Sequence, residues 1–239
     1  MRGIILAGGK GTRLLPATLI TNKHLLPVYK NLMIEYPLKT LLALGIKDII
    51  IVSGGENIGD FANILGSGKK YNARFAYLVQ DEPLGIAHAV SLTKDFMGKD
   101  PFVVILGDNY FEDNISTLVN GFKSGAKVFL KEVPDPQRFG CPELVNGKIS
   151  KIEEKPKEPK SNYAVTGLYF YDSTFFDKFK ILKPSARGEY EITDINRLYL
   201  KEGNLDYVVL NGLWSDMGVH DTLLHVANFV KEKENQTKL

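Results

Sequence analysis

Four continuous runs of apolar residues in the first half of the chain constrain its fold more than any other feature. Segments with helical periodicity separate them. A strand that is apolar at every position is buried on both faces, as in a mainly parallel sheet with helices on both sides. We therefore predict an α/β fold with a doubly wound, Rossmann-like sheet that binds ligands beyond the carboxyl ends of its strands. The predicted strands are Ile4–Leu6, Ile49–Val52, Phe75–Val79 and Phe102–Leu106, and the predicted helices are Leu32–Leu44, Gly59–Leu65 and about Ile86–Phe96.

The pattern changes after about Asp113. Strand-like segments now follow one another, and Asn146-Gly147 between two of them is a strong hairpin-turn signal. We expect antiparallel strands inserted into the mixed, mainly parallel sheet, where they complete a pocket. These strands are predicted at Val128–Leu130, Leu144–Val145, Lys148–Ile152 and Ala164–Tyr171, and further helices at Glu189–Leu200 and from Asp216 onward.

The composition excludes several classes of protein. Lys and Arg number 30 against 28 Asp and Glu, whereas proteins that bind mainly a nucleic-acid backbone carry a strong basic excess. One cysteine, Cys141, leaves no disulfide framework and no cysteine-rich zinc site. Glycines end the first apolar run too early for a signal peptide, and no stretch reaches the roughly twenty apolar residues of a membrane span. We expect a cytoplasmic protein without a nucleic-acid or membrane partner.

A glycine-rich segment follows the first predicted strand directly. Gly8, Gly9 and Gly11, after the strand end at Leu6, let the backbone approach an anion closely and point N–H groups at it. Arg13 adds a planar fork of donors that suits phosphate oxygens. The segment matches neither the dinucleotide pattern nor the Walker pattern. We interpret it as a phosphate-binding loop; the alternative is a tight turn with solvated cations.

Two acidic residues are candidates for a metal site. Asp108 follows the fourth apolar run after one glycine, Gly107, at a position where a carboxylate can hold Mg²⁺ together with substrate phosphates. The acid that we pair with it is Asp216, although each of the two could instead cap a helix or a turn. Lys23 could reach the same phosphate site or be an ordinary surface lysine. We interpret His24 as structural, because no second histidine stands at metal-ligand spacing.

Other polar residues are candidates for substrate contacts. Glu154 and Lys155 put a carboxylate suited to sugar hydroxyls beside a cation suited to phosphate, and Arg187 is a second candidate phosphate clamp. Gln80 follows the third apolar run and offers both a donor and an acceptor, as the edge of a pyrimidine requires. The ordinary alternatives are a solvated charge run, a helix-start turn and a surface glutamine.

At these positions the chain resembles the sugar-1-phosphate nucleotidylyltransferases, and within that family most closely the glucose-1-phosphate thymidylyltransferases. The resemblance extends from Gly3 to about Asn228. Its later motifs are more specific than the glycine-rich loop, which many nucleotidyltransferases share. The motifs are GGKGTR at Gly8–Arg13, KHLLPVY at Lys23–Tyr29, LGDN at Leu106–Asn109, EEKP at Glu153–Pro156, KSNYAVTGLY at Lys160–Tyr169, KPSARGE at Lys183–Glu189 and EITDIN at Glu191–Asn196.

The resemblance implies an enzyme that makes dTDP-glucose and pyrophosphate from dTTP and glucose 1-phosphate with Mg²⁺ as cofactor. The expected reaction is an in-line attack by the sugar phosphate without a covalent enzyme intermediate. It implies nucleotide contacts from Leu6, Gly8, Gly9, Gly11, Thr12, Arg13, Gln80, Pro83, Gly85 and Asp108, sugar-phosphate contacts from Asn109, Gly140, Glu154, Lys155, Val165 and Arg187, metal binding by Asp108 and Asp216, and catalysis by Arg13, Lys23 and Lys155.

We predict one nucleotidyltransferase domain over residues 1–239. It would comprise a nucleotide-binding half at about 1–112, a sugar-binding half at about 113–230 and a polar tail at 231–239. The chain ends earlier than the long bacterial members of the family, whose extra C-terminal helices help to build a feedback site and an oligomer surface. The sequence is therefore compatible with either a monomer or a homo-oligomer.

Departures from the family pattern keep other functions open. Leu84 stands where many thymidylyltransferases have Asp, so UTP is an alternative to dTTP. Ser215 and Met217 flank Asp216 where the family commonly has Leu and Thr. A non-catalytic sugar-nucleotide sensor would keep the pocket but lose a metal acid or the phosphate cations. A glycosyltransferase would carry an Asp-x-Asp motif, which Asp108-Asn109-Tyr110 does not supply.

Overall fold

The computed structural model describes residues 1–119 and 121–236. Within them the strands are β1 (Arg2–Leu6), β2 (Pro27–Val28), β3 (Asn31–Leu32), β4 (Asp48–Ser53), β5 (Arg74–Val79), β6 (Phe102–Leu106), β7 (Asn109–Phe111), β8 (Ala126–Glu132), β9 (Gly140–Val145), β10 (Lys148–Glu154), β11 (Tyr163–Tyr171), β12 (Leu205–Val209) and β13 (Trp214–Asp216). The α-helices are α1 (Glu35–Ala43), α2 (Ile58–Leu65), α3 (Ile86–Ser91), α4 (Lys94–Met97), α5 (Ile115–Leu118), α6 (Phe175–Lys180), α7 (Ile192–Lys201) and α8 (His220–Gln236). Short 3₁₀ helices lie at Thr12–Leu14, Ala17–Leu19, Lys23–Leu25, Lys69–Tyr71 and Pro136–Arg138.

A nine-stranded mixed sheet organises the fold. At its centre β1 pairs in parallel with β4 and β6, so that Ile5 lies opposite Ile51 and Ile105, and β5 extends the sheet beyond β4. The long strand β11 runs antiparallel to β6, β8 and β9, while β12 is parallel to β8. The predicted doubly wound, mainly parallel sheet with inserted antiparallel strands is confirmed.

The central strands are buried on both faces. In β1, Ile4 and Leu6 belong to one apolar core, whereas Ile5 and the following Ala7 belong to another. Successive side chains of a strand point to opposite faces, so each core lies between the sheet and one helical layer. This burial explains why the strand sequences are apolar without alternation.

Several predicted elements are confirmed. The predicted fourth strand coincides with β6, and Asn146 and Gly147 join β9 to β10 with φ angles of 51° and 72°. Positive φ at both turn positions is what a type I′ hairpin requires, and it explains the Asn-Gly pair. The residues of the turn therefore fixed both the position and the type of this connection.

The predicted helix at Ile86–Phe96 is wrong as a single element. Helix α3 ends at Ser91, and α4 begins separately at Lys94. Between them the Thr93 hydroxyl donates to the Val90 carbonyl at 2.7 Å, which is the type of local side-chain bond that competes with helix continuation.

The starts of three other predicted helices shift because neighbouring residues pair differently. The region predicted as Leu32–Leu44 becomes helical only at Glu35, since Leu32 pairs with Pro27 in the small β2–β3 hairpin. The region predicted from Glu189 becomes helical at Ile192, after an extended residue. The region from Asp216 first completes β13, which pairs with β7, and the helix begins at His220.

The C-terminal segment is partly helical. The predicted polar tail at 231–239 begins inside α8, which runs to Gln236, and residues 237–239 lie outside the described part of the chain. The sheet joins strands from both predicted halves, while the division into a nucleotide half and a sugar half stays a prediction. Among residues 1–119 and 121–236, no helix combines the length and apolar character needed to cross a bilayer.

Candidate active site

A cavity of about 500 Å³ opens beyond the carboxyl end of β6. The loop after β1 forms one side, and β9, β10 and β11 with the start of α7 form the other. Acidic, cationic, polar and apolar residues line it. They are Arg13, Ile86, Leu106, Asp108, Asn109, Arg138, Phe139, Gly140, Glu154, Lys155, Val165, Thr166, Gly167, Tyr169, Ile192, Thr193, Trp214 and Asp216.

The two predicted metal acids both line this cavity, Asp108 between β6 and β7 and Asp216 at the end of β13. Asp108 follows β6, and β7 begins at the next residue, Asn109, which is directly opposite Asp216 of β13. The backbone N–H of Met217 donates to the carbonyl oxygen of Asp108 at 2.7 Å. The short antiparallel pair β7–β13 therefore brings together two acids that are far apart in the sequence.

Each acid has a cationic partner. The Lys23 ammonium lies 2.5 Å from Oδ2 of Asp108, and both side chains are largely buried. The Arg138 guanidinium lies 3.0 Å from Oδ2 of Asp216 and also contacts Asp135 at 2.7 Å. Buried carboxylates are stable as charged groups only when they are paired or hydrogen-bonded, and these contacts supply that condition.

The pKa values of the two carboxyl groups are shifted in opposite directions. Burial alone would raise the pKa of Asp108, but the charge of Lys23 and hydrogen bonds from Lys23 and Asn109 outweigh it and hold that pKa well below its ordinary value. Burial and the Asp108 charge raise the pKa of Asp216, against the attraction of Arg138 and Arg13. Asp216 is therefore the acid whose charge is less fully compensated.

Asn109 connects the acid pair to the sheet. Its Oδ1 accepts hydrogen bonds from the indole Nε1 of Trp214 at 2.8 Å and from the backbone N–H of Gly167 at 3.1 Å. Its Nδ2 donates to Oδ1 of Asp108 at 2.9 Å. Because all three bonds converge on a buried amide, Asn109 fixes the orientation of the Asp108 carboxylate relative to β11 and β13. Asn109 thus bridges Asp108, Gly167 and Trp214. Its contact with the sugar phosphate stays a prediction.

The donor set of the cavity fits Mg²⁺. This ion prefers oxygen ligands and usually binds through one or two carboxylates together with substrate phosphates and water. Asp108 and Asp216 supply two carboxylates to one cavity. Within the described ranges, His, Cys, Asp and Glu form no cluster of three or more that could enclose a metal by itself. An ion held here would therefore keep positions for substrate oxygens.

The glycine-rich loop follows β1 at the same edge of the sheet. Gly9 and Gly11 have φ angles of 97° and 62°, and a Cβ on Gly11 would lie 2.9 Å from the side chain of Thr18. The loop thus needs glycine at Gly11 for both conformation and space. Gly8 is half-buried, and Arg13 at the end of the loop lines the cavity.

Other predicted nucleotide residues lie beside the cavity rather than in its lining. Thr12 is exposed and begins the 3₁₀ turn after the loop, and buried Leu6 accepts a hydrogen bond from the Gly107 N–H at 2.8 Å. Gln80 directly follows β5, and its amide oxygen lies 3.7 Å from the position that a Cβ on Gly8 would take. Pro83 is exposed in the turn that follows.

The predicted sugar side is formed by β9, β10 and β11. Gly140 pairs with both Glu154 and Val165, so the three residues lie side by side in adjacent strands. The carboxylate of Glu154 accepts a hydrogen bond from the Thr193 hydroxyl at 2.5 Å. Lys155 lines the same wall with a φ of 45°, and its backbone N–H donates to the Phe139 carbonyl.

Arg187 lies at the edge of this wall. Its guanidinium contacts Glu191 at 2.8 Å, Glu189 at 3.4 Å and the Glu154 carboxylate at 3.6 Å. The predicted phosphate clamp is therefore surrounded by three carboxylates. Its place beside Glu154 is compatible with a phosphate contact, which stays a prediction.

Sequence reasoning missed several residues of the cavity wall, among them Arg138, Thr193 and Trp214. Arg138 lies in a short 3₁₀ turn. Its contact with Asp216 depends on the position of the β7–β13 pair, which no local sequence pattern predicts. Thr193 lies within the EITDIN motif but has no obvious chemistry of its own. Trp214 offered a usable signal, since it is the one tryptophan of the sequence and stands two residues before Asp216.

The cavity thus combines oxygen ligands for a divalent cation, several cations for anionic groups and a carboxylate wall for hydroxyl groups. Anions that approach from the glycine-rich loop would meet Arg13 and the acid pair. A polyhydroxylated molecule on the opposite wall would meet Glu154. The arrangement is suited to joining two phosphorylated reactants.

Comparison with known proteins finds relatives that match nearly the whole chain. A family model described as nucleotidyl transferase matches residues 2–233. A glucose-1-phosphate thymidylyltransferase from Neisseria meningitidis (serogroup A, serotype 4A) is 45% identical in an alignment 242 positions long, gaps included, which covers 98% of this chain and 84% of that protein.

Two solved structures extend the comparison. A crystal structure from Bacillus anthracis, described as that of a glucose-1-phosphate thymidylyltransferase in complex with a sucrose, superposes with a TM-score of 0.93 at 53% identity and covers 97% of this chain and 95% of that chain. A UDP-glucose pyrophosphorylase complexed with UDP-glucose has a TM-score of 0.84 at 25% identity and covers 97% of this chain and 98% of its own.

Proposed function

The chain belongs to the nucleotidyl transferase family, and we propose that it is a glucose-1-phosphate thymidylyltransferase. It joins glucose 1-phosphate to the thymidylyl group of dTTP and releases pyrophosphate. The names of its relatives support the reaction. The observation that carries the proposal is the convergence of Asp108 and Asp216, with their cationic partners, on a cavity whose opposite wall presents Glu154 and Lys155.

The reaction is a transfer between two anions. A phosphate oxygen of glucose 1-phosphate forms a bond to the α-phosphorus of dTTP, and the bond from that phosphorus to the bridging oxygen of pyrophosphate breaks. Since both reactants are negatively charged, positioning and charge neutralisation by the protein dominate the lowering of the barrier.

The metal site is part of the proposal. Mg²⁺, when held by Asp108 and Asp216, supplies positive charge to the phosphate oxygens. The protein controls this site through its own residues: Asn109 orients the Asp108 carboxylate, and Lys23 and Arg138 balance the two acids.

The remaining residues divide between the two substrates. On the nucleotide side, the N–H groups of the glycine-rich loop bind the triphosphate, Arg13 stabilises charge on the departing pyrophosphate, and Gln80 contacts the base. On the sugar side, Glu154 accepts hydrogen bonds from sugar hydroxyls, and Lys155 holds the attacking phosphate. Arg187 is the further phosphate contact, and it would exchange part of its present contact with Glu191 for the ligand.

Pyrophosphate release tests the proposal directly. The purified chain with Mg²⁺, dTTP and glucose 1-phosphate should release pyrophosphate and form dTDP-glucose. Asp216→Asn should lower kcat/KM by about a hundredfold or more, because it removes a preorganised charge from the site. The matched control is Asp221→Asn, an exposed aspartate of α8 outside the cavity, which should leave turnover unchanged. Equal activity of both variants would remove the acid pair from the mechanism.

The same assay with UTP tests the nucleotide. Thymine differs from uracil by one methyl group, which gives a pocket about 1–3 kcal/mol of discrimination. The fold similarity to a UDP-glucose pyrophosphorylase keeps UTP as the second candidate. A kcat/KM higher for UTP than for dTTP would change the proposed product to UDP-glucose.

A further inference from the structure

The side chain of Gln80 is held by two contacts on one side. Its Nε2 lies 3.3 Å from the carbonyl oxygen of Gly85 and 3.1 Å from Nδ1 of His88. A backbone carbonyl only accepts hydrogen bonds, so the NH₂ group of Gln80 must face Gly85. The same NH₂ group then donates to His88, whose Nδ1 acts as the acceptor while its proton is on Nε2.

This orientation leaves the amide oxygen of Gln80 on the opposite side. Oε1 faces the glycine-rich loop, 3.7 Å from the position that a Cβ on Gly8 would take. The amide therefore presents an acceptor, and not a donor, toward the space between the ends of β1 and β5. An amide in the reverse orientation would set its oxygen against two acceptors, the Gly85 carbonyl and the His88 lone pair.

The ring of His88 is itself fixed by its surroundings. It is stacked on Tyr190 with centroids 6.2 Å apart and planes at 26°, and it packs against Phe179 at 6.3 Å. Backbone hydrogen bonds tie the loop before α3 to the same tyrosine, from the Tyr190 N–H to Leu84 and from the Ala87 N–H to Tyr190. His88 is thus a rigid acceptor behind Gln80 rather than a mobile surface group.

The orientation of the Gln80 amide determines which bases can bind beside it. Thymine and uracil carry a hydrogen on N3 and can donate to the Gln80 oxygen, whereas N3 of cytosine is an acceptor. We propose that His88 is a positioning residue that fixes the Gln80 amide so that the site accepts thymine or uracil and rejects cytosine. The inference rests on the proposed function, since it assumes that the base binds beside Gln80.

Two kinds of His88 variant separate positioning from packing. His88→Leu removes the acceptor but keeps an apolar side chain in the aromatic contact, and His88→Met does the same with a more adaptable shape. His88→Asn keeps an acceptor near the position of Nδ1, because its Oδ1 branches from the same γ atom. The matched control is His225→Leu, an exposed histidine of α8.

The measurement is equilibrium binding of dTTP and dCTP, each alone, by titration calorimetry. In the wild type dTTP should bind more tightly than dCTP. His88→Leu and His88→Met should reduce the dTTP-to-dCTP preference by about three- to tenfold, the effect of one hydrogen bond that no longer fixes the amide. His88→Asn should restore most of the preference, and His225→Leu should leave it unchanged.

The outcomes distinguish this inference from the proposed function. An unchanged preference in His88→Leu or His88→Met, whichever folds, would overturn the positioning role, and so would an equal loss in His88→Asn. Pyrophosphate release by the wild type is measured separately. Its absence would refute the proposed reaction, while a shifted binding preference in the variants would still support the role of His88 in base selection.

Discussion

Replacing Asn109 by Asp tests how the buried amide controls the acid pair. The two residues have the same shape, so both hydrogen bonds accepted by Oδ1, from Trp214 and Gly167, can survive in Asn109→Asp. The third contact changes from an attractive hydrogen bond to a repulsion between two carboxylates. An NH₂ group that donates to Asp108 at 2.9 Å is replaced by a second carboxylate oxygen. We expect a stability defect that depends on pH.

The magnitude follows from the distance. Two unit charges at 2.9 Å repel by about 6 kcal/mol at an effective dielectric constant of about 20. The folded variant can avoid this repulsion by holding one proton between the two carboxyl groups, which raises their shared pKa. A group with a raised pKa contributes stability at low pH and loses it as pH rises. One extra bound proton changes the free energy of unfolding by about 1.4 kcal/mol per pH unit. Over the 2.5 pH units between pH 5 and pH 7.5 the additional loss is therefore about 3.5 kcal/mol.

Urea denaturation of wild type and variant at pH 5 and pH 7.5 measures this difference. Taking the difference between the two proteins at each pH removes the titration of all other groups. The control Asn146→Asp makes the same chemical change at an exposed turn and should show no pH-dependent defect. A defect of equal size at both pH values would refute the proposed contact between the Asn109 amide and the Asp108 carboxylate.

Further predictions concern a buried histidine, a crowded glycine and the loop cation. Burial, then the charge of a neighbouring lysine, lowers the pKa of His24 to about 3, so the unfolded chain binds a proton that the folded chain does not. The free energy of unfolding should therefore fall by about 2 kcal/mol between pH 7 and pH 5 in urea denaturation, and this dependence should disappear in His24→Asn. A Cβ on Gly167 would lie 2.5 Å from a buried amide oxygen, so Gly167→Ala should cost about 1–3 kcal/mol in the same assay, whereas Gly59→Ala, in open space, should cost nothing. Arg13→Ala should lower kcat about a hundredfold in pyrophosphate release with little change in KM, and Lys10→Ala, at an exposed position of the same loop, should not; equal effects would deny Arg13 a role in the reaction step.

The parts of the fold that the sequence predicted best are those in which local pattern and burial agree. The continuous apolar runs identified β1, β4, β5 and β6 because strands between two helical layers need apolar residues at every position. The short strands β7 and β13 were not predicted. Each has three residues, and they form because they pair with each other, an arrangement that no local pattern records.

The predicted site shows the same division between local and long-range information. Asp108 follows a recognisable strand, so its place at the edge of the sheet could be inferred from the sequence. The convergence of Asp216 with Asp108 depends on the β7–β13 pair. Without the family resemblance, the residue pattern favours a shared metal site no more than it favours two acids that each cap a helix or a turn.

The cationic partners of the two acids are harder to predict than the acids themselves. Lys23 was predicted as a phosphate contact, and in the structure its ammonium group is bound to Asp108, while Arg138 was not predicted at all. These ion pairs follow from charge balance, because two largely buried carboxylates in one cavity need cations nearby. The raised pKa of Asp216 indicates that its compensation is incomplete even with Arg138 in place. Arg138 is also shared between Asp216 and Asp135. The cavity therefore attracts further positive charge at Asp216, and this property, rather than the mere presence of two acids, makes the pair suited to a divalent cation.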